Sequence, residues 1–204
     1  MSDNSNPAPP SAPAPPPTYT NPISNLRQPN RVITGHNSSG QSVIHSSTPF
    51  TWSPYADSNL AFSVPYTTSS FPADLNADAD IVHHERVISS GTLGLVNPRG
   101  TVLRCVDFAP GYACAMHRTQ SLDYGIVLEG EVDMVLDSGE RVSLKRGDVA
   151  VQRGTQHQWI NRSQMEWARM IFVLQDCKKL VICGQELGED LGESSGSDLP
   201  ASGN

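Results

Sequence analysis

No basic cluster interrupts this 204-residue chain, in which 14 lysines and arginines stand against 21 aspartates and glutamates for a formal charge of −7. Such a surface offers little to a phosphate backbone or an anionic bilayer, so neither a nucleic-acid nor a membrane partner is expected. Charge of either sign is sparse at 17%, and aromatic residues make up 6%. Long apolar runs are missing too. The longest, Met170 to Leu174, is strand-sized, whereas a membrane-spanning helix needs about 20 residues. The opening MSDNSNPAPP shows neither a positive nor an apolar leader region, so a cytoplasmic location is expected. The four cysteines, Cys105, Cys114, Cys177 and Cys183, form no CxxC pair and no zinc-like spacing. They are expected to be reduced and to act as small hydrophobes, with a catalytic alternative for Cys114 alone. No dinucleotide-type glycine fingerprint is present, so no nicotinamide or flavin cofactor is expected.

Proline is plentiful but unevenly placed: nine of the sixteen fall in residues 1–29, among few apolar side chains. That segment reads as a disordered arm of polyproline character, because it cannot bury enough surface to offset its ordering entropy. Its PPPTY stretch is a candidate handle for a partner protein. Residues 30–100 read as a β-rich extension packing on the core. Runs such as Arg31–Thr34, Gln41–Ser47 and Ala61–Thr67 are bounded by Gly, Pro, Asn and Ser. Asp74–Val87 is polar and reads as a loop or a single helical turn, with His83 and His84 able to send at most one ring into a shared site. Residues 101–180 carry short strands at close spacing: Val102–Phe108, Tyr112–His117, Tyr124–Leu128, Val132–Leu136, Val149–Gln152, His157–Asn161 and Arg169–Leu174. Tyr124–Leu128 is apolar except at Gly125 and is expected to be buried on both faces. An all-β jelly roll or barrel follows. Residues 184–204 read as a flexible acidic Gly/Ser-rich tail.

Chemically useful side chains fall at a regular spacing in two blocks. In the first, Gly111 is followed by His117, Thr119, Asp123 and Gly130; in the second, Gly147 is followed by Gln152, Gly154, His157 and Asn161. This frame resembles the two signature motifs of the cupin superfamily, small β-barrels that often hold a metal inside. Thr119 stands where that family has a second histidine, Asp123 where it has glutamate, and Gln152 where it has proline. The stretches MHRTQSLDYGIVLEGEVDMVLDSGE, LKRGDVAVQRGTQHQWINRS and ARMIFVL resemble small single-domain cupins of fungi and bacteria. Several fungal members are encoded in polyketide clusters, including those for salicylaldehyde-type products, and are called cupin-domain oxidoreductases.

The resemblance implies a single cupin jelly-roll barrel in which His117, Thr119, Asp123 and His157 surround one point. Two imidazoles and a carboxylate make the facial set that suits one divalent metal, iron foremost, with Mn, Ni, Cu and Zn as alternatives. The same residues without metal can serve as general acid and base. Trp159 shares a strand face with His157 and walls the pocket, which Tyr124 and Gln156 are also expected to line; Arg118 and Arg153 are secondary candidates. The implied function is a small-molecule enzyme of secondary metabolism, an oxidoreductase acting on an aromatic or polyketide-derived intermediate. Two alternatives stand beside it: a redox-neutral lyase or isomerase, and a non-catalytic carrier serving other enzymes of a pathway. A homodimer is expected, since cupins commonly pair barrel faces.

Overall fold

The computed structural model describes residues 16–192 and 199–202, and strand-forming sequence takes over at Asn30. The first half contains β1 (Asn30–His36), β2 (Ser42–Pro49), β3 (Ser53–Tyr55), β4 (Leu60–Thr68) and a helix, α1 (Ala79–Ser90). There follow β5 (Thr101–Phe108), β6 (Ser121–Glu129), β7 (Glu131–Leu136), β8 (Arg141–Lys145) and β9 (Val149–Arg153). The last strands are β10 (His157–Asn161), β11 (Ala168–Asp176), β12 (Leu180–Ile182) and β13 (Gln185–Leu187).

Two antiparallel sheets enclose the core. The larger runs β3-β4-β5-β11-β6-β9 and the smaller β10-β7-β8. Their inward residues, among them Val106, Val127, Val132, Leu144, Trp159, Met170 and Phe172, pack into one cluster. The protein is thus mostly β, as expected, but its wall is two sheets rather than one closed barrel. β4 pairs with β5 across the boundary drawn at residue 100, so the two parts share a sheet.

Tyr112–His117 is not a regular strand. It pairs with β10 through isolated bridges at Ala113–Ile160 and His117–His157 rather than a continuous ladder. Between them the ladder breaks, because the Trp159 amide donates to Cys114 Sγ at 3.2 Å rather than to a carbonyl. Tyr124–Leu128 is not buried on both faces either: exposure alternates along β6, and Tyr124 is 40% exposed on the outer side. Strand geometry demands this, since Asp123 faces inward.

The polar Asp74–Val87 stretch holds most of a twelve-residue helix that ends at Gly91 with φ +66°. The glycine takes the left-handed conformation that closes a helix without a Cβ penalty. Its inner face carries Ile81 and His84, and the buried His84 is bonded to Thr67 Oγ1 at 3.0 Å and Arg31 Nη1 at 3.2 Å. A histidine filling a core position hides a helical period from a count of apolar residues.

The N-terminal arm is ordered in part. Residues 1–15 lie outside the described residues, but from residue 16 the chain crosses the large sheet. Tyr19 and Trp52 exchange backbone hydrogen bonds of 2.7 and 2.8 Å, Ser24 Oγ donates to Asp107, and Arg27 O accepts from Arg169 at 2.6 Å. These polar contacts hold it down together with Ile23, which packs against Trp52, Ala61 and Cys105. The acidic tail is ordered in part as well: Leu191 and Leu199 are buried in the core, while residues 193–198 and 203–204 lie outside the described residues. Two apolar side chains anchored in the core explain why Gly/Ser content misled.

Candidate functional site

Three separate elements deliver the site. The irregular segment before β6 carries His117 and Thr119, β6 carries Asp123, and β10 opens with His157. All four are at most 6% exposed. They line one cavity of about 50 Å³ whose remaining wall is mainly apolar, including Phe62, Phe108, Trp159, Phe172 and Leu199. The His117 and His157 rings stand 4.4 Å apart between centroids, and Trp159 meets His157 edge-on at 5.5 Å.

The hydrogen bonds fix how the imidazoles are protonated. His117 Nδ1 lies 2.9 Å from Ala115 O, and His157 Nδ1 lies 2.9 Å from Thr155 O. A carbonyl only accepts, so each Nδ1 carries the proton. Burial lowers both pKa values; that of His157 is pushed down to about 3 by burial and then by the neighbouring His117. Both rings are therefore neutral near pH 7, and each leaves a bare Nε2 lone pair.

Asp123 is perturbed in the opposite sense. Burial raises its pKa to about 6, against the pull of hydrogen bonds from Ser121 and Thr119. Thr119 Oγ1 donates to Asp123 Oδ2 at 3.2 Å and accepts from Ser121 Oγ at 2.7 Å. Asp123 Oδ1 is buried with no hydrogen-bond partner. A buried orphan acceptor costs desolvation energy unless something else answers it. The donor chemistry of the two imidazoles fits a divalent metal, since the Ala115 and Thr155 carbonyls hold Nδ1 and free Nε2. No three His, Cys, Asp or Glu side chains, however, stand close enough among the described residues to share an ion.

The structure thus brings together His117, Thr119, Asp123, His157 and Trp159. It leaves out others. Tyr124 faces away from the cavity, Gln156 does not line it, and Arg153 is exposed. Arg118 holds the C-terminal segment, its Nε donating to Gly188 O at 2.8 Å. Cys114 does line the cavity. Sequence reasoning passed over Arg104, which lines it too and is 4% exposed. The available signal was parity: Arg104 shares the inward face of β5 with Val102, Val106 and Phe108.

Residues 104–174 match the cupin domain model Cupin_2. "Phomopsin biosynthesis cluster protein D" of Diaporthe leptostromiformis is 47% identical over 177 residues, covering 86% of this chain and 93% of that protein. "Cupin-domain-containing oxidoreductase fogC" of Aspergillus ruber is 39% identical over 178 residues, 86% of each chain. Among solved structures, the polyketide cyclase RemF of Streptomyces resistomycificus is 15% identical, with a TM-score of 0.41 over 68% of this chain and 75% of that one. Domain model and relatives together define the class of protein as a cupin. Within that class the chain belongs to the family of cupin-domain proteins named for fungal biosynthetic clusters.

Proposed function

We propose that this cupin is a cytoplasmic small-molecule enzyme of secondary metabolism, an oxidoreductase acting on an aromatic or polyketide-derived alcohol or carbonyl intermediate. The observation that carries the reading is a pair of neutral, buried imidazoles with bare Nε2 atoms beside a carboxyl group whose second oxygen is unpartnered. Relatives named cupin-domain oxidoreductases support the reaction class.

His157 or His117 would take the substrate's hydroxyl or α-carbon proton at Nε2, and Asp123, with a pKa of about 6, would exchange the second proton. The apolar wall keeps bulk water from competing for either. When bound, a divalent metal on the bare Nε2 atoms of His117 and His157 would supply Lewis acidity and, as iron, access to dioxygen. Oxidation of an alcohol releases two protons and two electrons, and dioxygen as acceptor would leave as hydrogen peroxide. Without an acceptor the same three groups relocate a proton within the substrate. The absence of a third assembled metal ligand among the described residues favours that redox-neutral reading as the second one. We also propose a homodimer, paired through the exposed apolar edge formed by Tyr124, Val149 and Val151.

The test is turnover of a panel of aromatic aldehydes, ketones and benzylic alcohols, with oxygen uptake and metal content recorded on tag-free protein. His157→Ala should lower turnover by about 10²–10⁴-fold, the range for a lost general base. Oxygen uptake matching product supports oxidation, and product of unchanged mass formed without oxygen supports isomerisation. Unaltered turnover in His157→Ala would overturn the site, and no turnover of any panel member by either protein would leave a carrier.

A further inference from the structure

Two arginines are buried among the described residues, and they are treated differently. Arg169 is 4% exposed and answered by a fully buried aspartate: its Nε and Nη2 reach Asp107 Oδ1 and Oδ2 at 2.5 and 2.6 Å. Its guanidinium also lies 4.8 Å from the Trp52 ring centroid. Arg104 is equally buried, yet no ion pair joins it to a carboxylate among the described residues. Its Nη2 donates to Gly94 O at 2.7 Å, and its carbon lies 5.0 Å from the Phe62 ring centroid. Its Nε–H is buried and has no partner at all.

A guanidinium has five N–H donors in a planar fork matched to a carboxylate, and it stays charged in proteins. Taking that charge out of water costs several kcal/mol unless an anion or a full set of acceptors compensates. One backbone carbonyl and one aromatic face fall well short. The group is also well placed for a ligand, because it lines the same cavity as His117, Asp123 and His157.

We propose that Arg104 is the anion-binding residue of this cavity, and that the substrate bears a carboxylate on an apolar aromatic body. The inference rests on reading the cavity as the substrate site. Arg104 grips the carboxylate, the body lies against Phe62, Phe108 and Phe172, and the far end meets the imidazole pair. The cavity, of about 50 Å³, holds the anion, and the body extends along the side lined by Leu95 and Leu199.

The test is direct binding of benzoate to the full-length protein, read by calorimetry and by tryptophan fluorescence, with neutral benzamide as the comparator. Wild type should prefer benzoate, and Arg104→Met should lose about 10- to 100-fold of that affinity, the worth of charge-assisted bonds, while keeping its benzamide affinity. Arg104→Lys, which keeps the charge and loses the fork, should fall between. Equal benzoate affinity in wild type and Arg104→Met, or no preference over benzamide in wild type, would overturn the proposal. His157→Ala separates the two readings: benzoate binding retained with turnover intact sinks the catalytic role alone.

Discussion

At the scale of the residue, the cavity holds groups whose titrations pull in opposite directions. His157 has a folded pKa of about 3 against 6.5 when free, so its contribution to stability is present above pH 6.5 and is lost as pH falls toward 3. His117 is lowered by burial and acts with the same sign. Asp123, raised from 3.8 to about 6, acts the other way: its contribution is present below 3.8 and is lost as pH rises through about 6. Acidification from pH 7 to 5 therefore sets two imidazole losses against one carboxyl gain. His157→Gln removes one of the losses and leaves the gain. Denaturant midpoints at the two pH values should show the variant losing less stability than wild type on acidification, by on the order of 1–2 kcal/mol. An identical loss in both proteins would show that His157 is not buried and neutral. These residues were legible in the sequence because His117, Asp123, His157 and Asn161 keep the spacing of a recognisable frame. Arg104 was not, since an arginine inside a strand is more often an outward-facing charge.

At the scale of the element, the C-terminal segment is the part least predictable from composition and the one that closes the cavity. Leu95 N donates to Pro200 O at 3.0 Å and Val96 N to Ser202 Oγ at 2.9 Å, which seats Leu199 over the site. Gly94 permits this approach: a Cβ there would lie 2.3 Å from Ser202 Cα and 2.4 Å from Ala201 O. Both are backbone atoms that no rotamer change can move aside. Gly94→Ala should therefore unseat residues 199–202 while leaving the sheets folded. Hydrogen exchange at Leu95 and Val96 should quicken about tenfold, the worth of one lost hydrogen bond, with β5 and β11 unchanged. Unchanged protection at both amides would show that the segment is held elsewhere. The helix teaches a related lesson, because His84 occupies a core position that a hydrophobic period alone would give to an aliphatic residue.

At the scale of the whole molecule, β9 is the outer edge of the large sheet and turns Val149 and Val151, each more than half exposed, to the same side as Tyr124. An edge of this kind invites pairing with another chain. Sedimentation at micromolar concentration should show a dimer for the wild type and a monomer for Val151→Lys, whose charge would be stranded in a paired edge. A monomeric wild type would end the proposal of a homodimer. No helix among the described residues is long and apolar enough to cross a membrane.

The sequence by itself determined the β class, the run of strands from Thr101 to Asp176, and the set of His117, Thr119, Asp123, His157 and Trp159 that ends in one cavity. The strands follow from period-2 alternation, a local property, and the convergence of the site residues followed from the resemblance to the cupin motifs. Only the tertiary structure decided that Tyr124 faces out, that Arg104 faces the imidazoles without a carboxylate, and that Leu199 returns to cover them. Each depends on register between strands far apart in the chain, and no local pattern encodes which distant backbone will arrive beside a given side chain.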